Sequence, residues 1–425
     1  IVDEILKYNP QADLSTLVKA YVFSAQAHKG QTRLSGEPYL VHPLEVAYTL
    51  TKMNLDISSV VSGLLHDTIE DSYVSKSEIE ENFGTEVAEL VDGVTKIGQI
   101  PLKTSEDSKV ETFRKMLLAM SKDIRVILIK LADRYHNMKT LNFLNSNRQI
   151  DIARETMDIY APLAHRLGIE WLKGELEDEA FKYLLPLEYK NVVSKITKKR
   201  KERDTYIEEV IELLKGKFQQ FKLDAVIFGR AKKLYSIYRK TILEKLELDD
   251  IYDLTAFRVI VNNVKDCYLA LGLIHSFFRP IPGKFNDYIA LPKPNMYQSL
   301  HTKVVGPYGE KIEIQIRTHE MHKIAEEGIA AHWKYKEGSV FDPKEDKIFG
   351  WLRRLIESQQ ELKDNKEFME IFKIDLFPDE IYVFTPRGDV KELSKGSTPV
   401  DFAYAIHSQL GHTCVGAKVN GRLVP

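Results

Sequence analysis

The sequence predicts a multidomain protein: an all-α domain, then an α/β domain with a mixed sheet, then a small β-rich module. Three observations predict this order. The chain runs to 425 residues, too many for one ordinary domain. Apolar residues recur at three-and-four spacing up to about residue 186, the signature of amphipathic helices. After Phe221 the texture changes to short β-type runs separated by helical segments and turn residues, as a mixed α/β domain requires.

The helical domain, 1–186, is built from a succession of amphipathic segments. "DLSTLVKAYVFSAQAHKG" begins at a capping Asp13 and ends at Gly30,. "HPLEVAYTLTKM", "SSVVSGLLHDTIED", "TEVAELVDGVTKI", "ETFRKMLLAMSKDIRVILIKLADRYHNMKTL" and "ARETMDIYAPLAHRLG" follow with the same spacing,. A charged helical stretch, Tyr189 to Phe221 with "KKRKERD", reads as a solvated connector (187–222) rather than a nucleic-acid patch,. In the α/β domain, 223–340, "DAVIFG", "LTAFRVIV", "SLHTKVVG" and "KIEIQIRT" are strand-like, and "RPIPGKFNDYIALPKPNMYQ" reads as a loop,. A helical linker, 341–375, and a short β-rich module, 376–425, complete the order.

Composition narrows the function classes. Hydrophobic residues make up 44% and charged residues 29%, the balance of a globular protein. Lys and Arg number 60 against 62 Asp and Glu, for a net charge of −2, so no bulk electrostatic grip on nucleic acid or membrane is indicated. The two cysteines, Cys267 and Cys414, form no CxxC pair, which argues against a disulfide framework or a thiolate zinc site. No apolar run approaches the ~18 residues of a membrane span, and the N-terminus lacks a signal-peptide pattern. A cytoplasmic enzyme in a reducing compartment is expected. The chain starts without Met and stops within the strand-like "VNGRLVP", so a fragment of a longer protein is expected.

Chemistry concentrates first in "LLHDTIED", Leu64 to Asp71. On one helix His66 and Glu70 share a face, as do Asp67 and Asp71. Two further candidates have matching chemistry: His42 in "YLVHPLE" and Asp133 in "IKLADRYHN". Two imidazoles and two carboxylates suit Mn²⁺ or a similar borderline metal better than structural zinc or Ca²⁺. Glu70 and Asp71, one turn on, are placed to orient or deprotonate a water.

A second set lies in the α/β domain. In "KIEIQIR", Ile312, Ile314 and Ile316 face one way, and Lys311, Glu313, Gln315 and Arg317 the other,. "GRAKKLYSIYRK" carries Arg230, Lys232, Lys233, Arg239 and Lys240; Lys233 and Lys240 share a helical face that could grip a polyphosphate. Asp253 stands at the mouth of an apolar strand, as a Mg²⁺ ligand or a strand cap. "KPNMYQSLHT" offers Tyr297 for base stacking and His301 for a phosphate.

The order His…His-Asp…Asp resembles the HD superfamily of metal-dependent phosphohydrolases. The words "RLSGEPYLVHP", "GLLHDTIED", "LVDGVTK", "IRVILIKLADRYHNM" and "YAPLAHRLG" resemble the hydrolase domain of RelA/SpoT-type (p)ppGpp synthetase/hydrolases. The resemblance implies one Mn²⁺ on His42, His66, Asp67 and Asp133, and a water activated by Glu70 and Asp71 to release the 3′-pyrophosphate of (p)ppGpp. It also implies a nucleotide pocket drawing on Arg33, Ser35, Asn137 and Thr140. The later phrases resemble, in the same order, the family's nucleotidyltransferase-like synthetase domain, which transfers pyrophosphate from ATP to the 3′-OH of GDP or GTP. That implies Arg230, Lys232 and Lys240 on the ATP phosphates and Mg²⁺ on Asp253. It makes Glu313 a metal ligand or base, and stacks guanine on Tyr297 beside Lys293, Asn295 and His301. "KFND", Lys284 to Asp287, stands where bifunctional members carry "RFKD", and Ala231 replaces a usual proline; the first change bears on GDP/GTP preference. The final segment resembles the start of a β-grasp TGS domain, implying contact with uncharged tRNA on the ribosome, with His407 as the position to watch. The bifunctional enzyme is thus weighed against a one-way enzyme and against a tRNA- or ribosome-binding regulator. Intact ligand sets and the retention of Asp253 and Glu313 favour the first. The connector is expected to couple the two sites.

Overall fold

Residues 1–98, 116, 118–119, 122–198, 200–244, 255–293, 295–329, 380–385, 390–394 and 396–424 are described by a computed structural model. The predicted linker 341–375 and the first half of "ETFRKMLLAMSKD" lie outside the described residues. Two compact units are present, Ile1–Ile356 and Glu357–Pro425.

In the first unit, α1 (Val2–Tyr8), α2 (Ser15–Ala27), α3 (Val41–Lys52), α4 (Ile57–Leu65), α5 (Thr68–Asp71), α6 (Lys76–Phe83), α7 (Thr85–Gly98) and α8 (Arg125–Lys139) come first. They are followed by α9 (Ser146–Glu155), a π-helical turn (Thr156–Tyr160), α10 (Ala161–Arg166) and α11 (Glu170–Leu184). The apolar spacing read from the sequence is what they bury: Val46, Ala47 and Leu50 of α3, Val60, Val61 and Leu65 of α4, and Ile127, Ile129 and Leu131 of α8 are all inaccessible to solvent. The charged stretch forms two helices, α12 (Pro186–Lys198) and α13 (Arg200–Gln220).

The α/β part contains β1 (Ala225–Ala231), α14 (Leu234–Glu244), β2 (Thr255–Val261), α15 (Val264–Phe277), β3 (Arg279–Asp287), β4 (Leu300–Val305), β5 (Lys311–Thr318) and α16 (His319–Glu327). The sheet order is β1-β2-β5-β4-β3. Only β2 and β5 run parallel; the other pairs are antiparallel. Ile312, Ile314 and Ile316 are buried together against α15, as the strict alternation predicts,. Arg279 to Asp287, read as loop from its prolines and glycine, is instead the edge strand β3. An edge strand needs only one side paired, so Pro280 and Pro282 are tolerated there. The register slips between Pro280 and Phe285, a bulge in the sense that an edge strand commonly carries. "KFND" therefore lies on a strand.

In the second unit two hairpins, β6 (Glu380–Phe384) with β7 (Val390–Ser394) and β8 (Ala417–Val419) with β9 (Arg422–Val424), flank α17 (Pro399–Ile406) and α18 (Ser408–His412). Thr398 and Asp401 form a capping box on α17,. His407 is exposed, and its Nδ1 accepts the Gln409 N–H at 3.2 Å as the cap of α18. Among the described residues no helix is long and apolar enough to cross a membrane.

Candidate active sites

The predicted helix through "GLLHDTIED" breaks at its centre. Asp56 caps α4, its Oδ1 accepting the Ser59 N–H at 2.9 Å,, and the helix stops at Leu65. His66 Nδ1–H donates to the Gly63 carbonyl at 2.8 Å, and Thr68 Oγ1 donates to the Leu65 carbonyl at 2.6 Å. Side chains thus take up carbonyls that a further helical turn would use. Thr68–Asp71 restarts as a single turn, with Asp71 N–H bonded to the Asp67 carbonyl at 2.8 Å. The expectation that His66 and Glu70 share one face of a continuous helix is corrected accordingly.

At the break the imidazole and carboxylate meet His42 of α3 and Asp133 of α8. His42 Nε2 lies 3.4 Å from Asp67 Oδ2 and 3.2 Å from Asp133 Oδ1. His66 Nε2 lies 3.0 Å from Asp67 Oδ1 and 3.9 Å from Asp133 Oδ1. One atom each of His42, His66 and Asp133 falls within 4.8 Å of the others. His66 Nε2 is buried and makes no hydrogen bond. A buried imidazole nitrogen that faces two carboxylates fits a divalent cation, which would displace its proton. Burial opposes ionisation of Asp133, yet Lys130, 2.7 Å from its Oδ2, and His42 hold the carboxyl well below the ordinary range. Burial likewise works against charge on His66, but the Asp67 carboxylate prevails and raises it to about 9.

A cavity of about 600 Å³ opens beside this cluster. Arg33, Ser35, Asn137 and Thr140 all line it, next to Asp71 and Asp133. Arg33 donates to Asn137 Oδ1 at 2.6 Å, and Asn137 Nδ2 donates to Asp133 Oδ1 at 2.5 Å. Tyr39 OH reaches Asp67 Oδ2 at 2.9 Å and also Asp71 Oδ2. Glu70 packs its carboxyl against Gly98, and partial burial raises it above the ordinary range. Sequence reasoning missed several wall residues: Tyr39, Lys130, Arg134 and Arg148. Lys130 stands one helical turn before Asp133, a signal that could have been used. Arg134 pairs with Glu155 at 2.7 Å and stacks over Tyr160 at 4.0 Å; nothing in the sequence marks that partnership.

The second site lies on the polar face of the sheet. Glu313 on β5 sits beside two ammonium groups and an imidazole: Lys232 Nζ at 3.1 Å, Lys303 Nζ at 4.0 Å and His301 Nδ1 at 3.5 Å. Burial opposes its ionisation, but His301 and Lys232 hold the carboxyl well below the usual range. Tyr297 donates to or accepts from His301 Nε2 at 2.8 Å and packs edge-on against that ring. Lys293 lies over the Tyr288 and Tyr297 rings, at 4.7 and 5.5 Å. Lys240 lies on α14. Lys233 is paired across the chain, its Nζ 2.5 Å from Glu175 of α11. Asp178 of the same helix accepts the Leu234 and Tyr235 N–H groups at 3.2 and 2.8 Å, capping α14 across the chain. Asn295 Nδ2 donates to the His165 carbonyl at 3.2 Å. Asp253 and the Arg230 side chain lie outside the described residues.

Three family descriptions match in order: "HD domain" over residues 20–170, "Region found in RelA / SpoT proteins" over 229–340, and "TGS domain" over 381–425. Among curated relatives, the GTP pyrophosphokinase of Myxococcus xanthus is 56% identical over 424 residues, 99% of this chain and 56% of that protein. The guanosine-3′,5′-bis(diphosphate) 3′-pyrophosphohydrolase of Aquifex aeolicus is 48% identical over 425 residues, all of this chain and 60% of that protein. The bifunctional (p)ppGpp synthase/hydrolase SpoT of Escherichia coli is 47% identical over 422 residues, 99% of this chain and 60% of that protein. The chain spans somewhat over half the length of these relatives.

Proposed function

Because the chain belongs to the family of RelA/SpoT proteins, we propose that it both degrades and makes (p)ppGpp, at two sites in one compact unit. The observation that carries the reading is the cavity in which four nucleotide-contacting candidates adjoin the His42–His66–Asp67–Asp133 cluster. Those four residues would hold Mn²⁺, which supplies Lewis-acid polarisation of the 3′-pyrophosphate and acidifies an attacking water. Asp71, steadied by Tyr39, takes the proton from that water, with Glu70 beside it. Arg33, Ser35, Asn137 and Thr140 hold the nucleotide along the cavity wall. The bond broken joins the 3′-oxygen to phosphorus; the 3′-oxygen regains a proton, and pyrophosphate leaves with GDP or GTP.

In synthesis the ribose 3′-OH of GDP or GTP attacks the β-phosphorus of ATP, and AMP departs. Glu313, ionised among its cations, accepts the hydroxyl proton or helps hold Mg²⁺ with Asp253. Arg230, Lys232 and Lys240 neutralise the ATP phosphates; Tyr297 carries the guanine, flanked by Lys293, Asn295 and His301. A cytoplasmic location suits these substrates. The TGS segment is assigned to uncharged tRNA on the ribosome, with His407 at that contact.

Paired assays test this. Breakdown of ppGpp is followed with Mn²⁺ added or chelated, and ATP-plus-GDP turnover with Mg²⁺. Asp67→Ala should abolish breakdown and spare synthesis. Glu313→Gln should cut synthesis ~10²–10⁴-fold and spare breakdown. Absence of both activities in the parent chain moves the tRNA-binding regulator to first place.

A further inference from the structure

We infer that Arg33 sets the state of the metal cluster through two side-chain relays, one ending on His42 and the other on Asp133. This rests on the reading that the cluster holds a divalent cation. It adds His136 as a positioning residue and gives Arg33 and Asn137 a second task beyond touching nucleotide.

The first relay follows from counting donors. Arg33 NH1 lies 3.1 Å from His136 Nδ1, and that same nitrogen lies 2.7 Å from His42 Nδ1. A guanidinium only donates. His136 Nδ1 must therefore carry a lone pair, and its proton sits on Nε2. His42 Nδ1 then has to be the donor toward His136. With Nδ1 engaged by His136, His42 points Nε2 at Asp67 and Asp133, 3.4 and 3.2 Å away, where a cation would take the place of its proton. His66 Nδ1 is engaged by a simpler route, donating to the Gly63 carbonyl at 2.8 Å.

The second relay obeys the same logic. Arg33 NH2 donates to Asn137 at 2.6 Å, so the atom it meets is the amide oxygen,. The Asn137 NH₂ is thereby aimed at Asp133 Oδ1, 2.5 Å away. Lys130 holds the other oxygen of that carboxylate at 2.7 Å. One planar fork thus orients an imidazole ligand and a carboxylate ligand at once, and lysine could not reproduce it. Groups that orient metal ligands typically contribute ~10–100-fold in metal affinity.

The test is calorimetric titration of the nucleotide-free 425-residue chain with Mn²⁺, alongside Arg33→Lys, His136→Phe, His136→Gln and Asp67→Ala. Arg33→Lys and His136→Phe should each weaken Mn²⁺ binding ~10–100-fold. His136→Gln keeps an acceptor for His42 and should lose less than His136→Phe. Thermal melts in EDTA show whether each variant is folded. If one is not, ¹⁵N shifts of the parent decide, since the inference requires His42 to carry its proton on Nδ1 in the metal-free chain. Unchanged affinity in folded Arg33→Lys and His136→Phe, or the opposite His42 tautomer, overturns the inference and leaves the metal reading standing. Failure of the parent to bind Mn²⁺ any better than Asp67→Ala overturns the metal reading itself, and the inference with it.

Discussion

Tyr39 OH bridges a proposed metal ligand, Asp67, and the proposed base, Asp71, while its ring stacks on His28 at 4.6 Å. A phenol has one proton for two carboxylates, so it draws them together and limits where Asp71 can point. Tyr39→Phe keeps the stacked ring and removes only the bridge. Breakdown of ppGpp should fall ~10–100-fold, chiefly in kcat, while the melting temperature changes little; an unchanged kcat would show that Asp71 needs no such tether. At this scale, residues with an intrinsic taste for metals or phosphates were legible in the sequence: His42, His66 and Asp133 do converge, with Asp67 beside both imidazoles, and Arg33, Ser35, Asn137 and Thr140 do line one cavity. Tyr39 and His136 were not. A tyrosine or histidine beside a motif has no sequence signal that says which neighbour it will bond across tens of residues. The pairing of Lys233 was hidden for the same reason, because its partner Glu175 belongs to another part of the chain.

Among the elements, α16 shows how a helix is fastened to a sheet by charge. Arg317, almost wholly buried on β5, donates to His322 Nδ1 at 2.6 Å and to Glu326 at 3.1 Å; Arg258 of β2 reaches Glu326 at 2.9 Å. Burial, then Arg317 and Arg258, depress His322 to about 4, with Glu326 opposing and His319 adding to the shift. The unfolded imidazole titrates near ~6.5. Between those values the unfolded chain binds a proton that the folded chain refuses, so this group takes stability away as pH falls from ~6.5 to about 4 and changes nothing further below,. His322→Gln should flatten that part of the parent's urea-midpoint profile; parallel profiles would refute the assignment. Most elements were readable because their apolar period is strong, as in α3, α4, α8 and β5. The failures have local causes. β3 looked like a loop because prolines and glycine obscure a strand whose second edge is free. The α4–α5 break was hidden because His66 and Thr68 end the helix with side-chain bonds, a choice the apolar period does not record.

For the molecule as a whole, the helical and α/β parts of the first unit are joined through both backbone and side chains. Ile329 N–H bonds to the Leu167 carbonyl at 2.9 Å, and Asn54 Nδ2 donates to Glu327 at 2.6 Å. Gly328, at φ +58°, is pressed so close that a Cβ would stand 2.3 Å from the Leu167 carbonyl oxygen. Both the backbone conformation and the contact refuse a side chain. Gly328→Ala should cost about 1–3 kcal/mol or more, read as a lowered urea midpoint of the first unit; an unaltered midpoint would mean the junction is not held as described. The sequence announced two chemistries but gave no hint of this seam, since its partners lie far apart in the chain. The seam also bears on inheritance. A recombination event that exchanged only the sheet-bearing half between relatives would bring a foreign segment 295–329 against the resident turn at 165–169. The Asn295 amide and the Ile329 N–H would then depend on a turn shaped by another lineage. An exchange of one half alone would therefore put both bonds at the mercy of how closely the foreign turn keeps this backbone path.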